Sequence, residues 1–165
     1  MKLSEIAPGS PVFIDANVPL AVIFKEQNAP LAREFLKRIE SREIVGVTSV
    51  LVVNEVFHRS LIAEVCKLLQ VRPPVALRKL KETPGIFQSL HESWKIVEDF
   101  LKLPIMVYQL DEDALLTALH LARADQLLSN DASHVALLAR NGLQDMASFD
   151  RDFERVDFIN VYGRE

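Results

Sequence analysis

Cysteine is almost missing from this chain: Cys66 stands alone, so no disulfide can form within it. That usage points to a reducing cytoplasm rather than to a secreted, disulfide-stapled fold. Long apolar runs are missing too. Each is broken well short of the roughly 18 residues that a membrane-spanning helix needs, so no membrane partner is expected. The opening residues, MKLSEIAPGSP, have no apolar h-region and no small-residue cleavage site, which excludes a credible signal peptide. Basic charge is not in excess either. Nineteen Lys and Arg stand against 23 Asp and Glu, a net charge of −4, which argues against nucleic-acid binding by sheer basicity. The argument weakens where several acids serve a metal, because a divalent ion inverts the local charge. Repeats, low-complexity tracts and Gly/Ser linkers are absent, and the 165 residues suit one domain spanning 1–165.

What is present is a series of segments whose period alternates. PVFID (11–15), EIVGV (43–47), PIMVYQL (104–110), DMASF and DFINV are short apolar runs predicted as strands. In APLAREFLKRIES, Leu31, Phe35 and Ile39 recur every four residues, with Asn28 as a candidate cap and Pro30 in the first turn. Thr48 or Ser49 is placed to cap VLVVNEVFHRSLIAEVCKLL, which VRPP (71–74) stops. Asp111 caps the acidic turn before ALLTALHLA, and NDASHVALLARNG closes at Gly142. In the middle section Phe87, Leu90, Trp94, Val97 and Leu101 follow at three- and four-residue spacing. That spacing predicts one helix with a narrow apolar stripe, buried against the domain or a second chain. Strands alternating with helices predict an α/β fold around a mainly parallel sheet. In such sheets a ligand sits beyond the carboxyl ends of the strands.

Four acids fall where that rule points. Asp15 and Asp150 each follow the last apolar residue of a strand, so both should project at one edge. Glu55 lies one or two turns into the helix after the second strand, among apolar residues, where a carboxylate is expensive to bury unless paired or metal-bound. Asp131 opens a late helix. Each has a bland explanation. Aspartates end strands because their side chains bond their own backbone, and acids suit helix starts; Asp152 alone reads as a solvated turn residue. Four arrivals at one edge are better explained by one cause, a hard, oxygen-seeking Mg²⁺ or Mn²⁺. No Cys or His cluster with zinc spacing competes.

The order FIDANVPL, TSVLVVNEVFHR, NDASHVALLARNG and MASFDRDF resembles the PIN domain, including the VapC-type toxin ribonucleases, over nearly the whole chain. MASFDRDF is the most specific of the four: a Ser two before an Asp, then another Asp and Phe. The resemblance implies a PIN-like three-layer fold, with a central, mainly parallel sheet of four or five strands between helices. It implies a metal site of Asp15, Glu55, Asp131 and Asp150, with Asp152 as auxiliary acid and Asn17 and Ser148 supporting by hydrogen bonds. One or two Mg²⁺ or Mn²⁺ ions, an RNA substrate and metal-dependent hydrolysis of its phosphodiester bonds follow. An antitoxin and a homodimer are left open as partners.

Arg59, Arg140 and Arg151 are the leading candidates for RNA contacts, among a wider set of Lys25, Arg33, Lys37 and Arg123. Residues 67–102 make a longer helical middle section than compact toxins carry. A toxin of a toxin–antitoxin pair therefore stands beside two alternatives, an RNA-processing nuclease without an antitoxin and a catalytically silent binding scaffold. A phosphohydrolase using Asp15 as nucleophile would want an acid two residues on, where Asn17 stands. A di-iron bundle built on Glu55-x-x-His58 and Asp131-x-x-His134 is contradicted by the strands, and both histidines read as partly exposed helix residues.

Overall fold

Five short runs pair into one sheet in the computed structural model, which describes residues 1–163. Strand β1 (Pro11–Ile14) is central, with β2 (Val45–Ser49) and β3 (Ile105–Tyr108) on one side and β4 (Asp145–Ala147) and β5 (Asn160–Tyr162) on the other. The order is β3-β2-β1-β4-β5 and every pairing is parallel, with Phe13 opposite both Val47 and Met146. Parallel neighbours need crossovers. Up to β4 these carry α1 (Asn17–Ile23), α2 (Ala29–Glu40), α3 (Val50–Leu69), α4 (Pro73–Glu82), α5 (Glu92–Leu101), α6 (Glu112–Ala124) and α7 (Ser129–Arg140), while a 3₁₀ turn (Asp152–Arg155) lies between β4 and β5.

Side chains alternate across a strand, and β1, β2 and β4 are largely buried on both faces, which is why they read as continuous apolar runs, while the edge strand β3 leaves Met106 and Val107 exposed. Val12, Ile14 and Ala147 join Val18, Ala32, Phe35 and Ile39 in a core under α1 and α2. Phe13, Val47 and Met146 face the other way, onto Val52 and Val56 of α3 and Val135 and Leu138 of α7. The result is the three-layer α/β fold. Gly46 makes the first core possible: a Cβ there would lie 2.8 Å from a methyl of Ile105 and 2.9 Å from one of Ile39. The caps act as the sequence suggests. Ser49 accepts the Val52 amide at 3.2 Å and Asp111 that of Ala114 at 3.0 Å. Asn28 occupies the cap position of α2 but makes no side-chain cap.

The middle section departs from expectation. Phe87 sits in a 3₁₀ turn (Pro84–Ser89) and Leu90 in the link after it, so only Trp94, Val97 and Leu101 share α5. Pro84 and Gly85 break the helix that the spacing suggested. Leu90 is buried, while Phe87, Trp94 and Leu101 stay exposed. Pro73 does more than stop α3. It opens α4, at a position where a missing N–H leaves nothing unpaired. A third apolar cluster, Leu61, Val65, Ala76 and Leu90, ties α4 to α3 apart from the two sheet cores. Among the described residues no helix is long and apolar enough to cross a membrane.

Candidate functional site

Strand order reverses between β1 and β4, since β2 and β3 extend the sheet one way and β4 and β5 the other. The crevice beyond such a switch point is where open α/β sheets bind ligands. Asp15 is the first residue past β1, and its amide donates to the Ala147 carbonyl at 3.1 Å. Asp15 is 7% exposed. One carboxylate oxygen accepts the Ala16 amide at 2.7 Å and the other the Ser148 hydroxyl at 2.7 Å. Ser148 Oγ in turn accepts from Asn17 Nδ2 at 2.9 Å and from the Asp150 amide at 3.0 Å. A hydroxyl has one proton and two lone pairs. Both lone pairs are occupied, so its proton is committed to Asp15. Asn17 Oδ1 accepts the Phe149 amide at 3.1 Å and completes a latch between the two strand exits.

One contributor lay outside the sequence motifs. The chain leaving β5 passes so close to Ser148 that a Cβ on Gly163 would stand 1.9 Å from the Ser148 carbonyl oxygen. Fifteen residues separate the two, and nothing local in the sequence marks the contact. Asp150 also does what any aspartate at a strand exit does, accepting the Asp152 amide at 2.9 Å. Asp152 pairs with Arg155 at 2.8 Å.

Asp131, in the first turn of α7, and Glu55, in the second turn of α3, complete the acids. Burial pushes the Asp15 carboxyl up to about 7; the hydrogen bonds from Ser148 and Ala16 oppose this, and the charges of Glu55 and Asp131 add to it. Asp131 is pushed up to about 6 by burial, then by the charges of Asp150, Asp152 and Glu55. The acids thus lie within one another's electrostatic reach. They are not drawn in tightly: among the described residues no three His, Cys, Asp or Glu side chains are grouped closely enough to hold an ion.

The arginines divide. Arg59 stands one turn beyond Glu55 and reaches it at 3.9 Å. Arg151, with Asn28, Phe149 and Glu154, lines an open polar cavity of about 330 Å³ beside Ser148 and Asp150. Arg140 is not brought to the acids. It lies nine residues from Asp131, about 13 Å along α7, and is paired with Asp111. His134 is a second correction. It is 1% exposed, 5.4 Å from the Phe13 ring, and its Nδ1 has no partner among the described residues. Burial pushes it down to about 4, so it is a neutral core residue. The reason is that α7 buries every residue from Ala132 to Leu138 and offers no solvent-facing stripe there. His58 is exposed, as expected.

A family model described as the PIN domain matches residues 12–159. The chain belongs to the PIN domain family. Solved structures share its fold. One is VapC20 of Mycobacterium tuberculosis, described as a sarcin-ricin loop cleaving toxin, at 18% identity and TM-score 0.60 over 92% of this chain and 98% of that one. Another is VapBC2 of Rickettsia felis, bound to a DNA fragment from their promoter, at 11% identity and TM-score 0.58 over 92% and 96%. No curated protein matches this PIN domain in sequence.

Proposed function

We propose that this PIN domain is a metal-dependent ribonuclease that hydrolyses RNA phosphodiester bonds. In this reading Asp15, Glu55, Asp131 and Asp150 hold one or two Mg²⁺ or Mn²⁺ ions, with Asp152 as an auxiliary acid. The observation that carries it is the pair of raised carboxyls, Asp15 at about 7 and Asp131 at about 6, each lifted first by burial and then by neighbouring acids. Acids gathered in this way destabilise one another, and a divalent cation relieves the repulsion. The donors are all oxygen, which suits a hard ion. Each Asp15 oxygen accepts one protein hydrogen bond, which leaves lone pairs for a cation.

When bound, the ion would supply Lewis acidity, acidifying a water and neutralising charge on the phosphate and the leaving oxygen. The chain's own part is positional. Ser148 and Asn17 fix the Asp15 carboxylate against β4, and Arg59 and Arg151 stand where they can hold phosphates without reading sequence. A toxin role with an antitoxin partner goes with this reading, supported by the fold shared with a described toxin. The test is cleavage of structured and single-stranded RNA by the purified chain in Mn²⁺. Cleavage should stop in EDTA, and cleavage indifferent to the chelator contradicts the proposal.

A further inference from the structure

An acidic centre repels a polyanion, so a nucleic-acid substrate must find cations elsewhere on the chain. Close to the acids Arg59 is engaged with Glu55 and Arg155 with Asp152, which leaves Arg151 at the cavity beside Asp150. The densest run of positive charge lies instead on α4 and its approach. Residues 71–83 carry Arg72, Arg78, Lys79 and Lys81 against Glu82 alone, within a chain of net charge −4. Among the described residues Arg72, Lys79 and Lys81 have no acid within 4 Å, and Arg78 reaches Glu82 only at 3.9 Å. The buried side of α4 is Ala76, packed with Leu61 and Val65. At about 100° per residue, Arg78 and Lys81 fall about 200° and 140° around from Ala76, on the outward face.

A second, independent feature adjoins this helix. Phe87, in the turn that follows α4, and Trp94, on α5, are each 39% exposed. Their rings meet edge to face at 6.3 Å, and Trp94 leans in the same manner on Phe57 at 5.2 Å. Partly exposed aromatics on the segment that follows a cationic helix are what single-stranded nucleic acid uses: the cations track phosphates while bases stack on ring faces. We propose that α4, with Phe87 and Trp94, is a docking arm for single-stranded RNA outside the acid cluster. The substrate class rests on the ribonuclease reading above. The arm also has a defined spacing from the chemistry. Leu61 and Val65, beneath α4, lie six and ten residues beyond Glu55, about 9 and 15 Å along α3. The arm therefore engages RNA a few nucleotides from the scissile bond.

Trp94 is the only tryptophan in the chain and reports its own contacts. An unstructured 12-nucleotide RNA, titrated into the full chain in EDTA, should quench Trp94 fluorescence. Poly-glutamate of equal charge should not. The triple variant Arg78→Gln, Lys79→Gln, Lys81→Gln should bind more weakly, with the salt-dependence slope smaller by about 2, since each phosphate contact on a single strand contributes about 0.7. Phe87→Ala, read by anisotropy of labelled RNA, should weaken binding about tenfold through lost stacking. The arm is overturned if RNA does not quench Trp94, or if the triple variant binds with unchanged affinity and slope. It is also overturned if poly-glutamate quenches equally, which would make the surface one for an acidic protein. None of these readouts needs cleavage, so failure of the ribonuclease reading in Mn²⁺ is seen separately.

Discussion

Asp15 is held by neighbours that act on its proton in opposite senses. Burial and the nearby acids raise its pKa to about 7, while Ser148 and Ala16 stabilise the ionised form. With Asp131 raised to about 6, both bind protons more tightly folded than unfolded in the metal-free protein. Their contribution to stability is therefore full below the ordinary value of 3.8 and is lost as pH rises through about 6 to 7. His134 runs the other way. Its pKa of about 4 lies below the ordinary 6.5, so its contribution is present above 6.5 and is lost as pH falls towards 4. Below pH 6.5 the opposing slopes partly offset; above it the Asp15 loss dominates. The EDTA-treated protein should lose up to about 1.4 kcal/mol per pH unit for each proton released across pH 6.5 to 7.5. Saturating Mn²⁺ should abolish that loss, because deprotonated acids bind the ion more tightly. A metal-free melting temperature that is flat or rising in this window contradicts the raised carboxyls. At this scale the motif residues were legible because MASFDRDF and FIDANVPL place them beside strand ends. His134 and Gly163 were not. The first depends on a helix buried on all sides, and the second on a contact between distant segments.

Elements were legible where periodicity and caps agreed. The 20-residue α3 lies where its apolar pattern and Ser49 put it. β2 begins two residues later than EIVGV suggested, because Glu43 turns away to pair with Arg38 at 2.7 Å. The single helix expected in the middle section fails at Pro84, and what anchors α5 in its place is long-range. Glu64 of α3 accepts the amides of His91, Glu92 and Ser93 at 2.7, 2.9 and 2.8 Å, and the Ser93 hydroxyl as well. Burial alone would raise its pKa, but these hydrogen bonds outweigh it and hold the carboxyl below its ordinary value. One side chain thus serves the orphan donors of a helix start from 27 residues away, a role no local pattern reveals. Glu64→Ala should destabilise the protein by about 2 kcal/mol. It should also speed amide exchange at 91–95 while leaving sheet amides protected. Exchange unchanged at α5 contradicts the anchoring role.

The candidate site is a property of the whole molecule, since its acids come from the exits of β1 and β4, the second turn of α3 and the first turn of α7. The sequence supplied the acids and the parallel sheet, but strand order depends on long-range pairing that local patterns do not encode. Only that order puts β1 beside β4 and places Asp15 against Ser148. Asp131 gives the cleanest probe of the central claim, because among the described residues its carboxylate accepts no hydrogen bond that Asn would lose. The decisive measurement is the melting temperature of wild type and Asp131→Asn at pH 8, in EDTA and in Mn²⁺. In EDTA the variant should melt higher, by about 2–4 °C per kcal/mol of relieved repulsion. Mn²⁺ should raise the wild type through ligand linkage, by about 2.7 kcal/mol at 100 times its Kd, and the variant by much less. If Asp131→Asn melts lower in EDTA and responds to Mn²⁺ as the wild type does, Asp131 is only an acid favoured by a helix start, and the metal centre is contradicted.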